Sequence, residues 1–279
     1  MSPLLGSVAT KRQPIESQTV RWSSLSRFTR STTGPRKMEQ IRALFWIYKT
    51  CLLRTVALVR ENLGIIFAPL AYGFVLSAAA SLFAPLGLIG GLIRWIVLAA
   101  CASSGLHLIE NVVRMNKATL QDFTRGFSVY LWDILTIGFI FGIPMTLLAQ
   151  VAFTTPNGPL FYRGVLILLY IIFNAVPEMI YQSRVSGLAL LSASYQFIVE
   201  NWVEWLLPNL LIGAAGYLLR PFVYELVAPM PSFLQDFFVA AAFGLFLTFL
   251  MIFRGLLFGE LNGTTRRSRV YRYKARSSQ

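Results

Sequence analysis

Long apolar runs separated by short polar stretches set the pattern of this chain. Gly64 to Ala84 is 21 residues without a charge, close to the ~20 apolar residues that cross a bilayer core. A second run leaves the Ala84-Pro85-Leu86-Gly87 turn and reaches about Leu108, interrupted only by Arg94. A third covers Ile134 to Phe153, with Pro144 inside it. The fourth runs from Tyr162 to Ile180, with Arg163 at its start and Glu178 near its finish. The fifth covers Leu206 to Val227, and the sixth Phe233 to Phe258. The stretches between them have helical periodicity. From Glu39 to Arg60, Arg42, Lys49 and Arg60 fall near one stripe of a 3.6-residue wheel. Phe45, Tyr48, Cys51, Leu52 and Val59 lie mostly elsewhere, and Arg54 lies off the stripe. That pattern predicts either a helix lying in the membrane interface or a cover helix packed on the bundle. Met115 to Phe127 reads as a shorter helix of the same kind. In Ser186 to Trp205 the positions Leu188, Leu191, Tyr195, Ile198 and Trp202 form the expected apolar side, with Glu200 and Glu204 on the polar one. The expected fold is an all-α integral membrane protein of about six transmembrane helices, arranged as three hairpins with interfacial amphipathic helices.

A recurrence organises these elements. Glu61-Asn62 precedes Pro69 by the same eight residues that separate Glu200-Asn201 from Pro208. Leu131-Trp132-Asp133 opens a third, less regular copy. The starts near 61, 131 and 200 are about 70 residues apart. The odd-numbered spans enter from the same side in every unit, so the repeats are expected to be parallel. Glu61 and Glu200 are expected to cap the span that follows each of them, where helix-end N–H groups lack partners and the dipole favours an anion. Asn62 and Asn201 are neutral alternatives for the same donors.

Composition sharpens the class. Hydrophobic residues make up 56% of the chain and charged residues 13%, about half the usual charged share of a soluble domain. The net charge of +13 is unevenly placed. Eleven Lys or Arg precede Glu61, and seven lie from Arg254 onward. Arg114, Lys117, Arg125 and Arg184 sit in connectors, leaving only Arg94, Arg163 and Arg220 for the other side. The bias predicts both termini in the cytosol, in a bacterial cytoplasmic membrane or alternatively an organelle inner membrane. Three regions are expected: residues 1–38 as a disordered basic tail, 39–260 as the membrane domain, and 261–279 as a basic C-terminal tail. Residues 1–38 have no apolar core of a secretory signal, and their composition also suits an organelle transit peptide.

The three units, each with a polar Glu-Asn or Asp ahead of a Pro-containing span, resemble a broad group of six-helix bacterial membrane proteins. The group includes the membrane domain attached to some glycerophosphodiester phosphodiesterases. The resemblance covers about residues 40–260 and rests on hydropathy and the Glu-Asn-to-Pro spacing. It carries no catalytic motif, and the chain has no appended soluble catalytic domain, so it implies no phosphodiesterase activity.

Few side chains offer chemistry. His107 and Glu110 stand i, i+3 and can meet on one helix face. A solvated or hydrogen-bonded histidine and a proton relay are the two readings. One histidine and two separate cysteines, Cys51 and Cys101, give no metal-site or disulfide spacing. Ser103-Ser104-Gly105 reads as a close-packing surface rather than a nucleophile. Arg94, Arg163 and Arg220, with Glu225 and Asp236, lie toward the outer ends of spans. They read as snorkelling arginines with two salt bridges, or as a cluster for an anionic headgroup. The expected protein is non-enzymatic and without cofactor: a lipid- or partner-interacting subunit or scaffold, or alternatively a small transporter or channel built from three hairpin repeats. Membrane lipids, anionic headgroups among them, are the expected partners, with other membrane proteins or self-association possible and no nucleic acid. The candidate contact residues are Arg42, Lys49, Arg60, Arg94, Arg163, Arg220, Arg266, Arg267 and Arg269. Glu61, Asn62, Pro69, Glu200, Asn201 and Pro208 mark the repeat.

Overall fold

A computed structural model describes residues 37–183 and 185–277. The expected N-terminal tail, up to residue 36, and Arg184 lie outside the described residues. Ten α-helices and two short 3-10 turns make up the described chain: α1 (Lys37–Glu61), α2 (Ala68–Phe83), α3 (Gly87–Met115), α4 (Leu120–Val129), α5 (Leu131–Ala152), α6 (Gly158–Ile172), α7 (Val176–Gln182), α8 (Gly187–Val227), α9 (Ser232–Leu261) and α10 (Arg266–Ser277). Five helical stretches are long and apolar enough to cross a membrane: Leu63–Met115, Leu131–Ala152, Gly158–Gln182, Gly187–Val227 and Ser232–Leu261.

Local chemistry explains where these helices start and stop. The Leu63–Met115 stretch contains a reversal. A 3-10 turn, Ala84–Leu86, leads into Gly87 at φ +55°, a conformation that costs an L side chain and suits glycine. α3 ends on Asn116, which is left-handed at φ +62°, the residue type that best tolerates this conformation after glycine. α4 starts with a capping box: Thr119 accepts from the Asp122 amide while the Asp122 carboxylate accepts from the Thr119 amide at 2.8 Å. The ordered sequence α2–α3, α5–α6 and α8–α9 packs in adjacent pairs, and α9 also packs against α1, α2, α3 and α7.

The core sits at one end of the bundle. It is drawn from α1, the last third of α3, α7, the first half of α8 and the last third of α9. Trp205, Leu257, Phe258 and Val112 are fully buried there. The remaining portions of the long helices expose large apolar side chains, such as Leu88, Leu160, Leu210, Tyr217 and Phe233. A water-soluble monomer does not carry an apolar surface of that extent. In hydrocarbon that surface carries no penalty, because its surroundings are equally apolar, and helices satisfy their own backbone groups there.

Two expectations change at this level. On α8 the buried stripe is Leu190, Leu191, Ser194, Phe197, Ile198 and Asn201, whereas Leu188, Tyr195 and Trp202 are exposed. Apolar residues lie on both faces of this segment. The face that wins is the one placing Phe197 against Trp205 and Phe258, at ring distances of 5.3 and 4.7 Å. The segment after residue 261 contains a helix, α10, which packs on α1. Its Val270 is buried, and Arg276 lies over the Trp46 ring at 5.2 Å.

Candidate functional site

Three polar clusters tie the core end together. In the first, Arg254 of α9 donates to both carboxylate oxygens of Glu178 on α7, at 2.7 and 2.8 Å. It also donates to the Asn174 carbonyl at 2.5 Å and lies 5.1 Å from the centroid of the Trp205 ring. Trp205 Nε1–H in turn donates to Asn174 Oδ1 at 2.9 Å. Glu178 is wholly buried. A buried ion pair offsets its desolvation only when its geometry is good and further hydrogen bonds complete it; this one is bidentate and completed.

The second cluster joins α8 to α10. Arg266 donates to both Glu204 oxygens, at 2.6 and 3.2 Å. Arg269 reaches the same carboxylate at 3.7 Å and donates to Asn201 Oδ1 at 3.0 Å. Tyr48 of α1 donates to the Glu204 carbonyl at 2.8 Å. Burial, with the Glu204 charge adding to it, pushes the Tyr48 hydroxyl above its ordinary range.

In the third, Glu110 accepts from Tyr130 and pairs with Arg114 at 3.0 Å, with His107 Nδ1 at 3.4 Å. Arg114 also donates to the Tyr181 carbonyl at 2.5 Å. His107 therefore belongs to a hydrogen-bonded group that seats the end of α4. Burial first, and the bond to Glu110 second, raise the Tyr130 hydroxyl. The serines complete that seat. Ser103 Oγ donates to the Gly126 carbonyl at 2.6 Å and accepts from the Tyr130 amide at 2.8 Å. Ser104 Oγ donates to the Phe123 carbonyl at 2.8 Å and accepts from Tyr72. Ser103 thereby satisfies the Gly126 carbonyl in the last turn of α4, where helix carbonyls lack intrahelical partners, and the Tyr130 amide just beyond it, and Ser104 adds a bond one turn earlier. The approach needs Gly126, where a Cβ would stand 2.8 Å from Ser104 Cα.

Beside these clusters lies an apolar chamber of about 590 Å³, bounded by α2, α3, α5, α7 and α9. Pro69, Tyr72, Cys101, Ala102, Ile134 and Met251 are among its lining residues. A second cavity of about 330 Å³ shares Ile65, Ala68 and Leu108 with it and is bordered by Glu61, Asn62 and Thr119. The two lie side by side across that shared wall, the larger one apolar and the smaller one bordered by polar residues. An amphiphile with a hydrocarbon tail has the matching distribution.

The marked residues divide sharply. Asn62 and Asn201 are buried, with nearly equal backbones: φ −124°, ψ 38° and φ −127°, ψ 21°. Each donates to the carbonyl four residues back, Leu58 at 2.9 Å and Phe197 at 3.2 Å. Asn62 also donates to the Asn116 carbonyl and accepts from the Ala118 amide. These side chains thus close the preceding helix rather than cap the following one; the turn after Asn62 has no side-chain cap. Glu61 and Glu200 are exposed, Pro69 lines the chamber, and Pro208 is buried within α8.

Arg42, Lys49, Arg60, Arg94, Arg163 and Arg267 are exposed. Arg220 is exposed too and lies 5.6 Å from the Tyr224 ring centroid. Among the described residues, Arg94, Arg163, Arg220, Glu225 and Asp236 form none of the ion pairs expected at the outer ends of the spans. Sequence reading missed the Glu178–Arg254 pair. Its signal was one lone charge of each sign inside or beside an apolar run, which is costly unless the two meet. No protein-family model matches the chain, and no curated protein or solved structure matches it.

Proposed function

We propose that this chain is a non-enzymatic membrane subunit that binds lipid, holding a hydrocarbon tail in the chamber between α2, α3, α5, α7 and α9. The observation that carries the reading is the adjacency of that apolar space to a second cavity bordered by the polar residues Glu61, Asn62 and Thr119, with Ile65, Ala68 and Leu108 lining both. A solute pathway needs polar groups across the membrane midplane. The chamber wall instead offers almost solely hydrocarbon, with Tyr72 and Thr248 as its polar exceptions. The six-span, three-hairpin arrangement is supported by the reversal at Gly87 and by the adjacent packing of α2–α3, α5–α6 and α8–α9. The matched backbones of Asn62 and Asn201 support the repeat. The positive-inside bias supports a bacterial cytoplasmic membrane with both termini in the cytosol. There the exposed Arg42, Lys49, Arg60 and Arg267 face anionic headgroups, each contributing on the order of 1 kcal/mol.

The test is native mass spectrometry of the purified chain and of Ala102→Trp, whose indole fills the chamber. The wild type is expected to retain a bound lipid that the variant releases. An equal lipid count in both, with the variant folded, would remove the chamber from the proposal.

A further inference from the structure

The charges of α10 do not balance evenly. Arg272 is matched by Glu260 at 3.1 Å, and Lys274 by Glu39 at 3.0 Å. Arg266 and Arg269, however, share the single carboxylate of Glu204. Arg266 takes both of its oxygens through Nε and Nη2. Arg269 is left with a 3.7 Å contact to it, although its side chain is only 5% exposed. Its Nη1 donates to Asn201 Oδ1 at 3.0 Å and to the Thr264 carbonyl and hydroxyl at 3.4 and 3.3 Å, neutral partners that leave its charge answered only by the shared carboxylate. Burial accordingly lowers the Arg269 pKa, with Glu204 opposing that effect.

Both arginines open onto a cleft between α1, α8 and α10. It has a volume of about 250 Å³ and is also bordered by Gln40, Ile47 and Val203. That volume is several times the ~30 Å³ share of a water molecule. Arg266 Nη1 is not used in the Glu204 pair, and Arg269 Nη2 has only its long contact there. α10 begins at Arg266, so its first turn adds its N-terminal dipole to the same spot.

We propose that this cleft binds a phosphate group, held between Arg266 and Arg269 with Glu204 as the displaceable internal competitor. Planar guanidinium forks match phosphate oxygens two at a time. The incoming dianion or monoanion supplies the charge that Arg269 lacks. Two sources have this chemistry, a phospholipid headgroup and free inorganic phosphate. The site stands apart from the chamber, since the two cavities share no lining residue.

The experiment uses the full chain in maltoside micelles, which contain no phosphate, at fixed ionic strength made up with chloride. Thermal midpoints are recorded against inorganic phosphate, and in a separate series against phosphatidylglycerol doped into the micelles. A saturable rise is expected. A rise with both probes assigns the site to phosphate in general, and a rise with the lipid alone assigns it to a headgroup. Arg266→Gln, at a half-exposed position that tolerates change, is expected to weaken the response about tenfold or more, as loss of a charge-assisted bond does. Glu204→Gln frees both guanidiniums and is expected to strengthen it. The lipid series is run in Ala102→Trp, whose chamber is filled, and the inorganic-phosphate response is expected to be equal in that variant and the wild type, so failure of the chamber reading and failure of this one are separable. The absence of a saturable rise with either probe overturns the proposal. So does a rise that persists undiminished in Arg266→Gln.

Discussion

Glu178 and Arg254 stand 76 residues apart in the chain and meet through two parallel hydrogen bonds inside the core. Removing one partner leaves the other charge buried and alone, which costs about 3–5 kcal/mol. Glu178→Gln and Arg254→Met are each expected to lower the thermal midpoint strongly in micelles. The double variant Glu178→Leu/Arg254→Met recovers part of the loss, because two apolar side chains leave no uncompensated charge. A double variant less stable than both singles would show that the pair contributes net stability rather than mutual compensation.

The two buried asparagines give a paired prediction. Asn62→Ala strands the Leu58 and Asn116 carbonyls and the Ala118 amide. Asn201→Ala removes the side-chain bonds to the Phe197 carbonyl and to Arg269 Nη1. Each loss is expected to cost about 1–3 kcal/mol, the penalty of unsatisfied buried groups. Chemical unfolding of both variants measures it, and a neutral result at either position breaks the parallel between them.

The α4 capping box predicts an acid limb. The Thr119 side-chain hydrogen bond, first among the causes, holds the Asp122 carboxyl below its ordinary value of 3.8. A lowered folded-state value means that the contribution is complete above the ordinary value. It is lost as the pH falls through the lowered one. The stability difference between wild type and Asp122→Asn should therefore be constant near neutral pH and shrink toward zero in strong acid. A difference that grows on acidification contradicts the cap.

Topology can be checked directly. Tags placed at Ser2 and Gln279 are expected to be reachable from the cytosolic face only. A periplasmic reporter that works at either end would contradict an even number of spans with both ends inside.

The long apolar helices were legible in the sequence because hydrocarbon-length runs need no partner to be recognised. The charged pairs were not. Glu178 and Arg254 each looked like a lone charge at the edge of a span, and nothing local says which distant residue answers it. The segment after Leu261 read as a basic tail because its periodicity is carried by arginines. Its one buried apolar side chain among the described residues, Val270, is too faint a stripe to register. On α8 both faces are apolar, so the period gave the helix but left the choice of face to Trp205 and Phe258. The serines of α3 were correctly read as a packing surface, but their bonds to α4 depend on a partner 19 to 27 residues away.

The placement of the core at one end has a mechanical consequence. The far halves of α2, α3, α8 and α9 extend from a fixed root, and little protein packing restrains their tips. Their tilt is then set by the thickness of the surrounding hydrocarbon, which resists mismatch by fractions of a kcal/mol per Å. Short acyl chains force the tips to lean, and long ones let them stand upright, so the splay of the tips follows the bilayer, while the chamber, walled partly by the core residues Leu106, Ile109, Val176 and Ile180, stays with the root.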